Sequence, residues 1–387
     1  MYRILQSRGH QYYVVITKWP YTKSDRQTCA AMFTPVKNLV HHMHHHSAAS
    51  ASTMSVLEAF LYNSAHSLDE KSRRSIRSVG PSVRDLSDNL QQSMVTSTKH
   101  PIDLNHHRYT NLRELTVGKT NNMDFLDMIY LPKLTTLTMC NNCTIEDISA
   151  LAACTNLEHM NLSGTGVIDI SVLAACTHLE HLDLRNTFVI DISALAECTN
   201  LKHLNLSGTD VIDISALAEC TNLEHLDLYI TAIVDISALA ACTHLDHLDL
   251  YDTDVDDISD LNASSLLHLN LSKTKVSDLD PLSLCTALRE LDLSETEVSD
   301  LTPLALCTDL RDLDLYRTNV SDLTPLIGCK QMESIDLAVT DASEEDVCDL
   351  LDNTDSTSLT VYMNVEQTSD DGPLQEYIDN GTVYLVT

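Results

Sequence analysis

Between Leu157 and Leu271 the chain repeats itself every 22 residues: LEHMNLSGTGVIDISVLAACTH, LEHLDLRNTFVIDISALAECTN, LKHLNLSGTDVIDISALAECTN, LEHLDLYITAIVDISALAACTH. Units begin at Leu112, Leu134, Leu157, Leu179, Leu201, Leu223, Leu245, Leu266, Leu288, Leu310 and Met332, with spacings of 22, 23, 22, 22, 22, 22, 21, 22, 22 and 22. A strict period in this range marks a repeat architecture, in which each unit buries its apolar face against its neighbours. The 387 residues therefore do not divide into ordinary domains of 100–200 residues; most of them stack.

Within a unit the opening LxxLxL alternates apolar and polar, the period of a half-buried strand. Three residues after the last Leu stands a Thr (Thr165, Thr187, Thr209, Thr231, Thr253, Thr274, Thr296, Thr318, Thr340), whose hydroxyl can satisfy backbone groups leaving the ladder. Val or Ile follows, then Asp-Ile/Leu-Ser/Thr. Ser193 and Thr302 are placed as N-caps, followed by Ala194 or by a proline (Pro281, Pro303, Pro325), which suits the first helical position. A short 3₁₀ or α turn is expected there. Leu179, Leu182, Leu184, Val189, Ile192, Leu195 and Cys198 are the expected core of one coil. At about 1.5–3 kcal/mol per large apolar side chain they stabilise a coil only when neighbours cover both faces.

The pattern LxxLxLxxTxVxDISxLxxCT resembles the leucine-rich repeat, in the short 22-residue class with an internal DI-x-x-L that bacterial internalins and a regulatory subunit of protein phosphatase 1 share. The resemblance covers about 112–352. It implies an α/β solenoid with parallel strands on a concave face, short 3₁₀ or α turns on the convex side, and terminal caps. It also implies a recognition scaffold rather than a particular partner. Two departures stand out. Thr replaces the usual Asn at the turn. A Cys three residues before each new strand is similar to the cysteine-containing repeats of F-box-type ubiquitin ligase adaptors.

Residues 1–53, with HHMHHH at 41–46 and SAASAS after it, read as a basic, disordered leader, with a transit peptide or a start chosen upstream of Met54 as alternatives. Residues 54–111 read as a helical N-terminal cap, from the stripe Val56, Leu57, Phe60, Leu61. Residues 112–352 are the repeats, about eleven units. Residues 353–387 are a C-terminal cap, with SLTVYM and TVYLV as strands, entered through SEEDVCDLLD, an N-capped helix with acids in its first turn.

Asp and Glu number 56 against 24 Lys and Arg, and no basic residue follows Lys330. Such a body repels nucleic acid and anionic membrane and favours a basic protein partner. Eight of the 12 cysteines share one repeat position (Cys154, Cys176, Cys198, Cys220, Cys242, Cys285, Cys307, Cys329), read as a reduced packing ladder. Sequons at Asn161, Asn205 and Asn270 fall in strands, where glycans would cover the binding face. A cytoplasmic monomer is therefore expected. Cys140-Asn-Asn-Cys143 is an isolated CxxC and DTDVDD at 252–257 lacks the Gly and Glu of an EF-hand loop; neither is assigned a function.

In a leucine-rich repeat the outward strand residues line the concave side. The third position gives a histidine column (His159, His181, His203, His225, His247, His268) that continues as Glu290, Asp312 and Ser334. The fifth gives Asn161, Asp183, Asn205, Asp227, Asp249, Asn270, Asp292, Asp314 and Asp336, and the seventh adds Tyr229, Tyr251 and Tyr316. The expected binding residues are His181, Asp183, His203, His225, Asp227, Tyr229, His247, Asp249, Tyr251, Asp292, Asp314 and Tyr316, with Tyr229 and Tyr251 as anchors. Tandem duplication would also produce such columns, and no trio at ligand spacing is set apart, so neither metal nor cofactor is expected. An open face without a converging pocket argues against an enzyme. The alternatives are a phosphatase regulatory subunit, a ubiquitin ligase adaptor and, third, a secreted internalin-like adhesin.

Overall fold

The computed structural model describes residues 5–6, 12–13, 93–96, 112–117, 131–139, 145–261, 263–354, 359–369 and 372–386. The chain divides into Met1–Gln92 and Ser93–Thr387. In the first unit Leu5–Gln6 and Tyr12–Tyr13 pair antiparallel. The His tract, the apolar stripe at 56–61 and Cys140–Cys143 lie outside the described residues. Of the segment read as a helical cap, Ser93–Thr96 is described, and it is a strand.

The second unit is one 14-stranded sheet in which every strand pairs with its neighbours in sequence. The strands are β1 (Ser93–Thr96), β2 (Glu114–Val117), β3 (Thr136–Met139), β4 (His159–Asn161), β5 (His181–Asp183), β6 (His203–Asn205) and β7 (His225–Asp227). They continue with β8 (His247–Asp249), β9 (His268–Asn270), β10 (Glu290–Asp292), β11 (Asp312–Asp314), β12 (Ser334–Asp336), β13 (Thr360–Asn364) and β14 (Val383–Val386). All the pairings are parallel, and equivalent residues of successive units face one another, as in His203↔His225 and Asn205↔Asp227. A five-residue 3₁₀ turn returns most coils, for example Ser193–Glu197 and Thr302–Leu306.

The seven side chains expected to fill one coil, Leu179 through Cys198, are all buried. The threonine row does what its position implies. In nine coils the Thr Oγ donates to the carbonyl of the last strand Leu, at 2.5 to 2.8 Å. The expected Ser and Thr caps are not formed. Ser193 and Thr302 sit inside the 3₁₀ turn, the capping residue is Ile192 or Leu301, and no side chain caps it. The Asp two residues earlier closes the turn instead: Asp191 Oδ1 accepts from the Ser193 amide at 2.8 Å, and the same bond recurs from Asp147 to Asp322. A carboxylate two residues before the turn reaches an orphan amide that a serine within it cannot.

Between the strand and the threonine one residue per coil takes the left-handed conformation. It is Gly164 and Gly208 in two coils, and Asn186, Ile230, Asp252, Lys273, Glu295, Arg317 and Val339 in the others. Its amide donates to a carbonyl of the next coil, as Gly208 does to Tyr229 O at 2.9 Å and Ile230 to Tyr251 O at 2.8 Å. After Val339 the regular register stops, and a side chain replaces the missing coil. Gln367 Oε1 accepts from the Val339 amide at 3.0 Å, while its Nε2 donates to Leu337 O and Thr340 O. Helix α1 (Glu344–Asn353) starts at Ser343 in a capping box with Asp346 and buries Val347 and Leu350. A short helix, α2 (Gln375–Asp379), leads to β14. No helix among the described residues is long and apolar enough to cross a membrane.

The cysteine column is reduced and buried. Cys198 Sγ lies 3.8 Å from Cys176 O, and Cys220 Sγ 3.8 Å from Cys198 O. Burial pushes the thiols of Cys176, Cys198, Cys220 and Cys285 up to about 12 and those of Cys242, Cys307 and Cys329 to about 11. Thiols held protonated in this way act as packing atoms, not nucleophiles.

Candidate functional site

Alternation in the strands sends the middle residue of His-Leu-Asp inward and its neighbours outward. The parallel register then stacks like on like. His159, His181 and His203 stack with ring centroids 4.4 and 4.3 Å apart; His203 and His225 are tilted at 5.6 Å; His225 and His247 stack at 3.9 Å with an interplanar angle of 6°; and His268 is tilted at 5.7 Å from His247. Burial, then the neighbouring imidazoles, hold His181 and His203 below the usual histidine range. A shallow groove of about 360 Å³ runs over this face from Thr136 to Asp227 and takes in His159, His181 and His203. It reaches further toward β3 than the expected site residues do.

The Asp/Asn column lies beside it. In eight of its members Oδ1 accepts the amide two residues on, from Asn161 with Ser163 to Asp336 with Ala338, so the column also braces the turn leaving each strand. Asn161 and Asn205 each use Nδ2 to hold the carboxylate of the next coil, Asp183 at 3.0 Å and Asp227 at 2.6 Å.

Asp227 departs from the row. Its Oδ1 lies 3.3 Å from His225 Nε2 and 3.5 Å from His247 Nε2. These three form, among the described residues, the one group whose ligand atoms lie close enough together to hold a metal ion. Burial would raise the Asp227 carboxyl, but hydrogen bonds from both imidazoles outweigh it and hold the group well below the usual carboxylate range. The same bond, with burial opposing it, raises His225. The sequence sets no trio apart from the other histidines; the structure does. The equivalent Asp183 is occupied by Arg185, whose amide is 3.1 Å from Oδ1 and whose guanidinium is 3.1 Å from Oδ2. Tyr229 stands where Arg185 stands, so Asp227 has no guanidinium at that place. That difference was visible at the seventh position.

From Asp249 onward the column is nearly all carboxylate. No lysine or arginine among the described residues ion-pairs with Asp249, Asp292, Asp314 or Asp336. Burial pushes Asp249 and Asp336 up, and burial together with the Asp292 and Asp336 charges pushes Asp314 to about 6. The tyrosines of the seventh position, Tyr229, Tyr251 and Tyr316, are half-buried, and the last two carry a cation of their own chain. Lys273 Nζ donates to Tyr251 Oη at 2.8 Å and lies over its ring, and Arg317 lies over the Tyr316 ring. Glu295 links these two cations, at 3.8 Å from Lys273 and 3.6 Å from Arg317. Lys273, Glu295 and Arg317 occupy the left-handed turn position, which no sequence signal marks.

Residues 155–197 and 199–241 match the family model described as leucine-rich repeats in two copies. The chain carries leucine-rich repeats, and its parallel sheet and 3₁₀ turns are those of a leucine-rich repeat solenoid with short repeats. It is similar to an internalin, InlF of Listeria monocytogenes, with 25% identity over 72% of this chain and 88% of that one, at a TM-score of 0.62. A leucine-rich repeat protein of Leptospira interrogans aligns at 19% identity over 64% of this chain and 72% of that one, TM-score 0.54. The functional domain of InlJ from Listeria monocytogenes, described as including a cysteine ladder, aligns at 20% identity over 73% and 65% respectively, TM-score 0.53. No curated protein sequence matches the chain significantly. The leucine-rich repeat fold is a general scaffold for protein–protein interaction.

Proposed function

We propose that the outer face of the sheet binds a protein partner through a cationic segment laid along Asp249, Asp292, Asp314 and Asp336. The observation that carries this reading is a row of half-buried carboxylates without an ion-paired Lys or Arg among the described residues, one of them raised to about 6. Holding such groups together costs stability, and a partner's Arg or Lys would offset the cost through charge-assisted, bidentate pairing. Charge complementarity of this kind favours fast and selective encounter. The fold is compatible with such binding: a plant peptide hormone receptor, RGFR1 in complex with RGF2, is among the structural neighbours at 15% identity and TM-score 0.53. The buried, reduced cysteines support a reducing compartment, and the reading is of a cytoplasmic monomer.

Affinity purification with mass spectrometry tests the proposal. The wild type is compared with D249N/D292N/D314N, which keeps shape and backbone bonds because Asn already serves at this position, and with E197Q/E219Q on the turn side. Basic partners lost from the first variant and kept by the second are the expected result. Recovery of every partner by the triple variant would exclude the carboxylate row as the docking surface. A phosphatase catalytic subunit or a ligase core among the captured proteins would decide between the more specific roles.

A further inference from the structure

We infer that His225, Asp227 and His247 form a binding site for one divalent transition-metal ion of the zinc type. The donor set is two imidazole nitrogens and one carboxylate oxygen, which suits Zn²⁺ and its spectroscopic substitute Co²⁺. The spacing suits them too. Ligands at about 2.0–2.1 Å in a tetrahedral shell stand about 3.3 Å apart. Asp227 Oδ1 is 3.3 Å from one Nε2 and 3.5 Å from the other. The carboxylate is aimed from behind: Asn205 Nδ2 holds Oδ2 at 2.6 Å and leaves Oδ1 toward the imidazoles. Such outer partners fix ligand orientation in established metal sites. Asp227 has also given up the bond that its row makes to its own turn. Among the described members of the column, its Oδ1 alone takes no amide from two residues on. The two rings are nearly parallel, so binding requires them to rotate until both nitrogens converge. With 34% and 32% of their side-chain surface exposed they have room to do so. The fourth position opens on the outer face, where it takes water or a donor from a docked molecule.

The site does not depend on a basic partner, and its test uses the metal alone. The HHMHHH tract would bind metal on its own account. The parent protein is therefore the full chain with His41, His42, His44, His45 and His46 changed to Gln. Titration with Zn²⁺ at pH 7.5 by calorimetry, and with Co²⁺ by visible absorption, is expected to show one ion per chain with tetrahedral Co²⁺ bands. D227N and H247Q are each expected to weaken binding at least tenfold and abolish the bands, and N205A to weaken it about tenfold. H181Q/H203Q, which alters a stacked histidine pair elsewhere in the column, should leave binding within a factor of two. Circular dichroism confirms that each variant is folded; D227N introduces a residue the column already accepts. Absence of a one-ion site in the parent, or equal affinity in D227N and H247Q to that of the parent, overturns the assignment.

Discussion

Replacing Asp314 with asparagine should make the protein more stable and, on the proposed function, a poorer binder. Asp314 is held at about 6 against an ordinary 3.8, by burial and by the Asp292 and Asp336 carboxylates. A carboxyl whose folded value is raised destabilises the fold wherever it is ionised in both states, which here means above about 6. Wild-type stability therefore rises as pH falls from 6 toward 3.8, and the penalty is gone below that. The interval corresponds to about 3 kcal/mol for a fully desolvated group at about 1.4 kcal/mol per tenfold. Asp314 is only partly buried, so screening leaves about 1–2 kcal/mol. D314N removes the penalty, keeps the acceptor for the Tyr316 amide and adds a donor for Asp336, the arrangement that Asn161 makes to Asp183 at 3.0 Å. Urea denaturation followed by circular dichroism at pH 7.5, 6 and 4 measures it. The midpoint should rise for D314N at pH 7.5, and the difference should shrink through pH 6 and vanish near 4. A destabilised variant, or a gain that ignores pH, would refute the electrostatic reasoning.

Further predictions concern the backbone and the cysteines. Ile230, a β-branched residue at φ 55° with half its surface exposed, costs about 1–2 kcal/mol in the left-handed region; I230N should stabilise by about 1 kcal/mol in the same denaturation assay. T209V should cost about 1 kcal/mol, because the Thr209 amide still reaches Leu206 O at 3.2 Å. T231V should cost about 2–3 kcal/mol, since the Thr231 amide makes no such bond to Leu228 O; equal midpoints for the two valine variants would contradict this. Cys348, partly exposed where the other described cysteines are buried, should alkylate in the native state well before the eight ladder thiols, as peptide mapping after iodoacetamide treatment would show. Q367L removes the side chain that completes the last coil, and hydrogen exchange should show the Val339 amide opening while β5 to β8 keep their protection.

Most of the fold was legible because burial, turn and period coincide: the Leu, Val, Ile and Cys rows are core, and the Thr row closes each coil. The 3₁₀ cap falls on Ile192 or Leu301 and not on the Ser or Thr for a definite reason. Ser-Ala and Thr-Pro are good helix-start signals, but the turn begins at the Ser or Thr itself, whose own amide is taken by the Asp two residues before it. The metal trio was hidden by the regularity that revealed the repeat. Six histidines look alike in sequence, and only the partner of each carboxylate separates them, Arg185 for Asp183 and the imidazoles for Asp227. The left-handed position accepts Gly, Asn, Ile, Asp, Lys, Glu, Arg and Val, so no residue type marks it. The bridge from Lys273 through Glu295 to Arg317 is not legible in the sequence for that reason.

The bonds that tie one coil to the next join a residue to its counterpart's neighbourhood 22 positions away, and this has a consequence for heredity. Loss or gain of one whole unit by unequal exchange within the near-identical 157–244 stretch would rejoin the Thr, Cys and left-handed positions in phase and leave a folded protein, shorter or longer by one strand. The sheet can thus change length without passing through a misfolded intermediate sequence. The paired sites cannot. An exchange that removes Leu223–His244 takes His225 and Asp227 and leaves His247 beside Asn205. The interior strands are interchangeable parts, while any function built across two of them constrains which copies can be exchanged.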